Sequence, residues 1–276
     1  MKRFKILFVT MAVIALLATL TACGGDNGNN DAQAETKTTL RIATIPISRV
    51  ATESGVAPLE EMGYEVEIIM FDDYVTPDTA LDEGSIDANL YQHQQFLDNF
   101  NAEHGTDIVM LAPCVYYFGG IYSENYTSLD DLKANGAGGK IAVQQDATNQ
   151  SMDLLAIEEA GLITLTDEEK ALYSIADIVD NPYNFEFVYM TRNVIYSSRE
   201  ELAAYMGTSN TMVEFGLDPT ENQLYYVNYI DDALGICVNA KDADTQWAQD
   251  ILTAYTSDEA KQYVLDNAGS AVLPIE

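Results

Sequence analysis

Apolar residues follow two different rhythms along this chain. The first is a single dense run. Met1-Lys2-Arg3-Phe4-Lys5 forms a short basic head, and Ile6 to Leu20 is almost entirely apolar. Its 15 residues fall short of the roughly 20 that a helix needs to cross a bilayer. A basic head, an apolar run and the small residues before Cys23 describe a secretory leader over 1–22. The stretch 23–38 is polar, rich in Gly, Asn, Asp and Ala, and predicts a flexible tether.

The second rhythm begins at Leu40 and continues to the end. Short apolar runs alternate with segments of helical spacing. Leu40 to Ile45 predicts a strand ended by Pro46, and Ser48 to Met62 predicts a helix that Pro58 breaks or restarts. Tyr64 to Phe71 and Ile86 to Asn89 predict strands, with a short helix over Pro77 to Glu83 between them. His93 to His104 reads as a helix stopped by Gly105, and Asp107 to Pro113 as a strand entering the aromatic stretch Val115 to Phe118. Ser128-Leu129-Asp130-Asp131 predicts a capped helix start, Lys140 to Val143 a strand, and Asn149 to Ala160 a helix. Phe185 to Tyr189 predicts a strand; Glu200 to Met206 and Asn210 to Phe215 predict helices. Leu224 to Asn228 and Leu234 to Asn239 predict strands, and 245–267 a closing pair of helices. Short strands separated by helices imply an α/β fold with largely parallel sheets, in which ligands bind in loops at the carboxyl ends of strands.

Charge narrows the class. The chain has 44 Asp and Glu against 13 Lys and Arg, a net charge of −31. Such a surface repels phosphate backbones and excludes nucleic acid as a partner. No second long apolar run follows the leader. Beyond Cys23 only Cys114 and Cys237 remain, consistent either with a disulfide or with two buried thiols. Catalytic signatures are absent. There are two His residues, no Cys–His cluster with metal-ligand spacing and no Gly-x-Ser-x-Gly elbow. Gly136-Ala137-Gly138-Gly139-Lys140 lacks phosphate-loop spacing and reads as a turn. Asp72-Asp73 and Asp231-Asp232 read as solvated edges, because neighbours on a strand face opposite ways. Binding is favoured over chemistry, with no enzyme activity, metal or cofactor expected.

Leu20-Thr21-Ala22-Cys23 resembles the lipobox of bacterial lipoproteins, in which the Cys carries the lipid. Phe71-Asp72-Asp73-Tyr74-Val75-Thr76-Pro77 through Gly84, and Asp87-Ala88-Asn89-Leu90-Tyr91-Gln92-His93, closely resemble the methionine-binding lipoprotein family, also called the NlpA family, of ABC importers. Further blocks follow in the family's order: Ile141-Ala142-Val143 with Asp146-Ala147-Thr148-Asn149, Ala160-Gly161-Leu162-Ile163, Asn181-Pro182, Gly216-Leu217-Asp218-Pro219 and Tyr255-Thr256-Ser257-Asp258-Glu259. The resemblance spans about residue 39 to the C-terminus. It implies a two-lobed, periplasmic-binding-protein-like fold with a ligand cleft between the lobes. Lobe one would take 39–114 plus about 232–276, and lobe two about 115–231. It also implies a lipid anchor on Cys23, a location outside the cytoplasm at the cell membrane, and a permease with its ATPase as partners.

For the ligand, the resemblance implies Tyr74, Tyr91, His93 and Asn149 at matching motif positions, with Tyr117 as a further wall. Aromatic faces suit a thioether. The family's carboxylate-gripping Arg falls on Met152 here, and its Asn pair on Thr208-Ser209 or, with a gap, on Asn210. A carboxylate needs a replacement cation. Arg49, just after the first strand, is the candidate substitute, with an ordinary surface Arg as the alternative. Methionine or a related amino-acid-like ligand, a different small organic solute, and a surface lipoprotein without transport all remain open at this point.

Overall fold

A computed structural model describes residues 37–276. The expected leader, Cys23 and most of the expected tether lie outside the described residues. β1 (Thr39–Thr44), β2 (Glu65–Met70), β3 (Ala88–Gln92) and β4 (Ile108–Tyr116) belong to a first sheet. The chain then leaves it for β5 (Phe118–Tyr122) and β6 (Lys140–Gln144) of a second sheet. A small ribbon, β7 (Thr164–Leu165) with β8 (Ile178–Asp180), follows. β9 (Glu186–Met190), β10 (Ala204–Thr208) and β11 (Gln223–Asn228) complete the second sheet. β12 (Leu234–Asn239) and β13 (Leu273–Pro274) return to the first. The strand orders are β13-β4-β12-β3-β1-β2 and β11-β5-β10-β6-β9. The fold is α/β and two-lobed.

The sheets are mixed, which corrects the expectation of largely parallel ones. β1 runs parallel to β2 and β3, and β6 parallel to β9 and β10. β12 is antiparallel to β3 and β4, and β5 to β10 and β11. β5 and β12 follow the crossings, where the chain enters a sheet from the other lobe and not through a covering helix; the short edge strand β13 is also antiparallel to its neighbour β4.

Both faces of each sheet are covered. On the first, Ile42, Leu90, Ile236 and Val238 pack with Ile251 and Tyr255, while Ala43 and Cys237 face Leu81, Leu97 and Phe100. On the second, Ile141, Val143 and Met206 face Leu154 and Ile157, while Ala142 and Tyr205 face Ile195 and Tyr196. Adjacent residues on one strand therefore serve opposite layers. Each fully buried Leu or Ile contributes about 1.5–3 kcal/mol. Cys114 and Cys237 are free thiols, buried on opposite faces of the first sheet, so no disulfide joins them.

Two local expectations fail for identifiable reasons. Residues 200–206 do not form one helix: a 3-10 turn over Arg199–Glu201 ends at Leu202, and Ala204–Thr208 is a central strand, buried at all but its last position. A strand covered on both faces loses the alternation that distinguishes it from a helix. The break in the first helical segment falls at Ser54-Gly55, between Arg49–Glu53 and Val56–Glu61, not at Pro58. Pro58 sits in the first turn, where its missing N–H costs nothing. A Cβ on Gly55 would lie 2.5 Å from the Tyr255 ring.

The lobes are joined where strands cross. Tyr117 separates β4 from β5, and 229–233 separates β11 from β12. The crossings touch: the Tyr229 N–H donates to the Tyr117 carbonyl at 3.1 Å, and the two rings lie 5.3 Å apart. Ser209 adds a third contact, donating to the Ala271 carbonyl.

Candidate functional site

The site is assembled at strand ends facing the crossings. β3 carries Tyr91 and Gln92 to its C-terminal end, where His93 caps the helix Gln94–His104. The His93 Nδ1 accepts from the Phe96 N–H at 3.2 Å, which places the remaining ring hydrogen of the neutral imidazole on Nε2. That Nε2 is buried and has no partner. Burial holds the imidazole below its ordinary value, with Asp232 pulling the other way. From the second lobe, Asp146 caps the helix Ala147–Glu159, accepting from the Asn149 N–H at 3.0 Å and from its side-chain amide at 2.8 Å. Tyr74 comes from the loop after β2, its carbonyl accepting from the Tyr91 hydroxyl at 2.7 Å.

Tyr74, Tyr91, His93, Tyr117 and Asn149 line one cavity of about 40 Å³, together with Gln144, Thr208, Asn210 and Thr211. Residues of both sheets' strands contribute to its wall. Its space holds about three water molecules. Tyr74, Phe96 and Gln144 also border a larger cavity of about 240 Å³ at its mouth, which Asp72, Asp73, Asp146, Met190 and Arg192 line. The two acids at 72–73 thus border the cleft. Asp73 also turns the loop, accepting from the Thr76 N–H at 2.7 Å and the Val75 N–H at 2.8 Å.

Arg49 is placed elsewhere. Its side chain is 63% exposed and ion-paired to Glu53 at 2.6 Å, one helical turn on, and it lines neither cavity. The expectation that Arg49 anchors an anion in the cleft is corrected: an exposed i,i+4 pair already occupies it. Its neighbour Ile47 reaches the cavity instead. Met152 packs partly buried against the core of the first sheet. Of the candidates for the displaced Asn pair, Ser209 is used at the lobe contact, whereas Asn210 is buried and lines the cavity with Thr208. Arg192 was not anticipated. It opens the helix Arg192–Ser198, and only the path of the chain after β9 brings it to the cleft. Among the described residues no cluster of three or more His, Cys, Asp or Glu is arranged to hold a metal.

A buried carboxylate braces the wall. Asp78 accepts at Oδ1 from the side-chain amides of Asn89 at 2.8 Å and Gln92 at 2.6 Å, fixing β3 beneath Tyr91. Its Oδ2 has no partner, and burial pushes the carboxyl from 3.8 up to about 6. The folded state therefore holds this proton more tightly than the unfolded chain. Its stabilising effect is lost as pH rises from about 4 through about 6. An Asn keeps the Oδ1 acceptor and has no charge to bury. Asp78→Asn should raise stability at pH 7.5 by up to about 3 kcal/mol, and by about half as much at pH 5. Urea melts of both proteins at the two pH values test this; an equal or unfavourable difference at pH 7.5 contradicts it.

Residues 40–276 match the NlpA lipoprotein family. A D-methionine-binding lipoprotein of Salmonella typhi is 30% identical over 266 residues, covering 93% of each chain. A nutrient-binding protein from Burkholderia cenocepacia, solved bound to methionine, is 28% identical with a TM-score of 0.79, covering 86% of this chain and all of that one. An ABC-transporter periplasmic substrate-binding protein from Coxiella burnetii is also 28% identical, with a TM-score of 0.78 and the same coverage. With the match running from the first strand of the fold to its last residue, the chain belongs to the NlpA lipoprotein family.

Proposed function

We propose that this protein is the extracytoplasmic, lipid-anchored substrate-binding component of an ABC importer, and that its ligand is methionine or a related amino acid. The lipid sits on Cys23. The lobes comprise about 39–116 with 234–276, and about 118–228. The observation that carries the reading is a partly open cavity at the joint of two sheets, walled by aromatic rings of the first lobe and the crossing and by Gln144, Asn149, Thr208 and Asn210 of the second, with unpaired polar atoms on His93 and Gln92. Such a lining suits a small solute that is part apolar and part hydrogen-bonding. The relatives that bind methionine or serve ABC transporters support it.

Tyr117 and the five residues of 229–233 act as the hinge. At about 40 Å³ the inner cavity is too small for an amino acid, so binding requires the lobes to part and reclose over the inner cavity and its mouth together. Tyr74, Tyr91 and Tyr117 form the apolar wall, His93 Nε2–H donates, and Asn149 and Asn210 offer amides. The closed form is then delivered to a permease driven by an ATPase.

Calorimetric titration of the purified protein with the twenty amino acids, methionine in both configurations among them, tests this. Saturable one-to-one binding of methionine or a close analogue, with no turnover, is the expected result. Binding of none of them while a non-amino-acid metabolite binds would replace the ligand assignment, and silence throughout would remove the transport reading.

A further inference from the structure

An amino acid brings a carboxylate into the cleft, and a buried carboxylate without a cation is costly. Met152 supplies none, and Arg49 points elsewhere. Arg192 is the one Lys or Arg among the described residues that lines the cleft cavities. It borders the mouth, and it also borders a smaller recess against Gln144, Tyr196, Gly207 and Thr208. Its side chain is only 11% exposed. Its guanidinium carbon lies 5.9 Å from the centre of the Tyr74 ring.

The state of that guanidinium matters more than its position. Nη1 is buried and has no hydrogen-bond partner. The nearest carboxylate, Glu214 Oε2 at 3.6 Å, holds the side chain in place without a hydrogen bond. Buried donors without acceptors are rare and call for an explanation. Around the same mouth stand Asp72, Asp73 and Asp146. A guanidinium ion-paired to Glu214 yet with one N–H donor unmet, facing several carboxylates, is the complement of a zwitterion, whose ammonium faces the acids and whose carboxylate meets the fork.

We propose that Arg192 is the carboxylate anchor of the cleft, so that the protein selects solutes with a free carboxylate over their amides. This rests on the reading of the chain as an amino-acid-binding protein. The planar fork meets a carboxylate through two parallel hydrogen bonds, which a lysine does not reproduce.

The test is calorimetry with methionine and methioninamide on the wild type, Arg192→Gln and Arg192→Lys, with melting temperatures measured in parallel. Wild type should bind the acid at least about 30-fold more tightly than the amide, the range expected when one partner of a desolvated charge pair is missing. Arg192→Gln should weaken methionine by at least about 30-fold and bring the preference for the acid over the amide close to parity; Arg192→Lys should weaken methionine by about 10-fold. If Arg192→Gln proves unstable, the lysine variant carries the comparison. Methionine bound equally well by wild type and both variants overturns the anchor and leaves the transport reading intact. A wild type that binds no free amino acid overturns both.

Discussion

Gly120→Ala is expected to unfold the second lobe. Gly120 lies in β5 with φ of +146°, and a Cβ there would sit 1.8 Å from the Tyr225 carbonyl oxygen and 2.9 Å from its carbon. Those are backbone atoms of β11, so no side chain can swing aside. β5 is held between β10 and β11, with Gly120 opposite Gly207 on one side and Tyr226 on the other. Its neighbour Gly119 is also crowded, its Cβ position 2.3 Å from the Gly207 carbonyl oxygen. Making room means parting β11 from β5, the strand pair that leads into both crossings. Losses above about 4 kcal/mol belong to such backbone conflicts, against a total stability of about 5–15 kcal/mol. Gly63→Ala is the control: its φ is +97°, but nothing lies within 4 Å of the added methyl. It should cost only about 1–2 kcal/mol, the price of a left-handed non-glycine residue. Urea denaturation measures both. A loss of less than about 1 kcal/mol for Gly120→Ala would mean that β5 and β11 are not packed as described.

His93→Asn is expected to abolish tight binding while sparing the fold. His93 has two roles on two nitrogens. Nδ1 caps the helix Gln94–His104 by accepting from Phe96, and Nε2 stands unpartnered at the cavity. Asn is among the best helix caps, so the first role survives. Its side chain is too short to carry a donor to the Nε2 position, so the second does not. An unmet buried donor is worth about 1–3 kcal/mol, which corresponds to roughly 5–150-fold in affinity. Titration with methionine should show that loss, with a melting temperature within a few degrees of wild type. His93→Ala should lose the cap as well, about 1 kcal/mol more. Because burial lowers the imidazole below its usual value, the unfolded chain takes up this proton more readily. The contribution of His93 to stability is therefore present above about pH 6.5 and declines as pH falls below it. Unchanged affinity in His93→Asn would remove Nε2 from the site.

Much of this was written locally in the chain. Many strands and helices of both lobes follow from alternation and from caps such as His93, Ser128 and Asp146, whose side chains accept from the third residue on. Five of the six expected ligand residues, Tyr74, Tyr91, His93, Tyr117 and Asn149, are brought to one cavity from four separate stretches of sequence. Arg49 misled because proximity to a strand end was read without its partner, although Glu53 stands four residues later and signals an i,i+4 pair. β10 escaped because burial on both faces erases period two. Arg192 escaped for a different reason. Neither its spacing nor its neighbours distinguish it; only the folding of β9 and its helix against the loop that carries Tyr74 makes it a cleft residue. Long-range juxtaposition of this kind is not encoded in any window of sequence.

The titration with methionine is most informative when followed by amide hydrogen exchange. A solute grasped between the two sheets should slow exchange on both sides of the cleft at once, in 74–76 and 91–97 of the first lobe and in 144–150 and 208–212 of the second, with slowing also at the crossings near 117 and 229. Protection confined to one lobe, or bound ligand with no protection at either, would contradict a site formed by closure of the lobes.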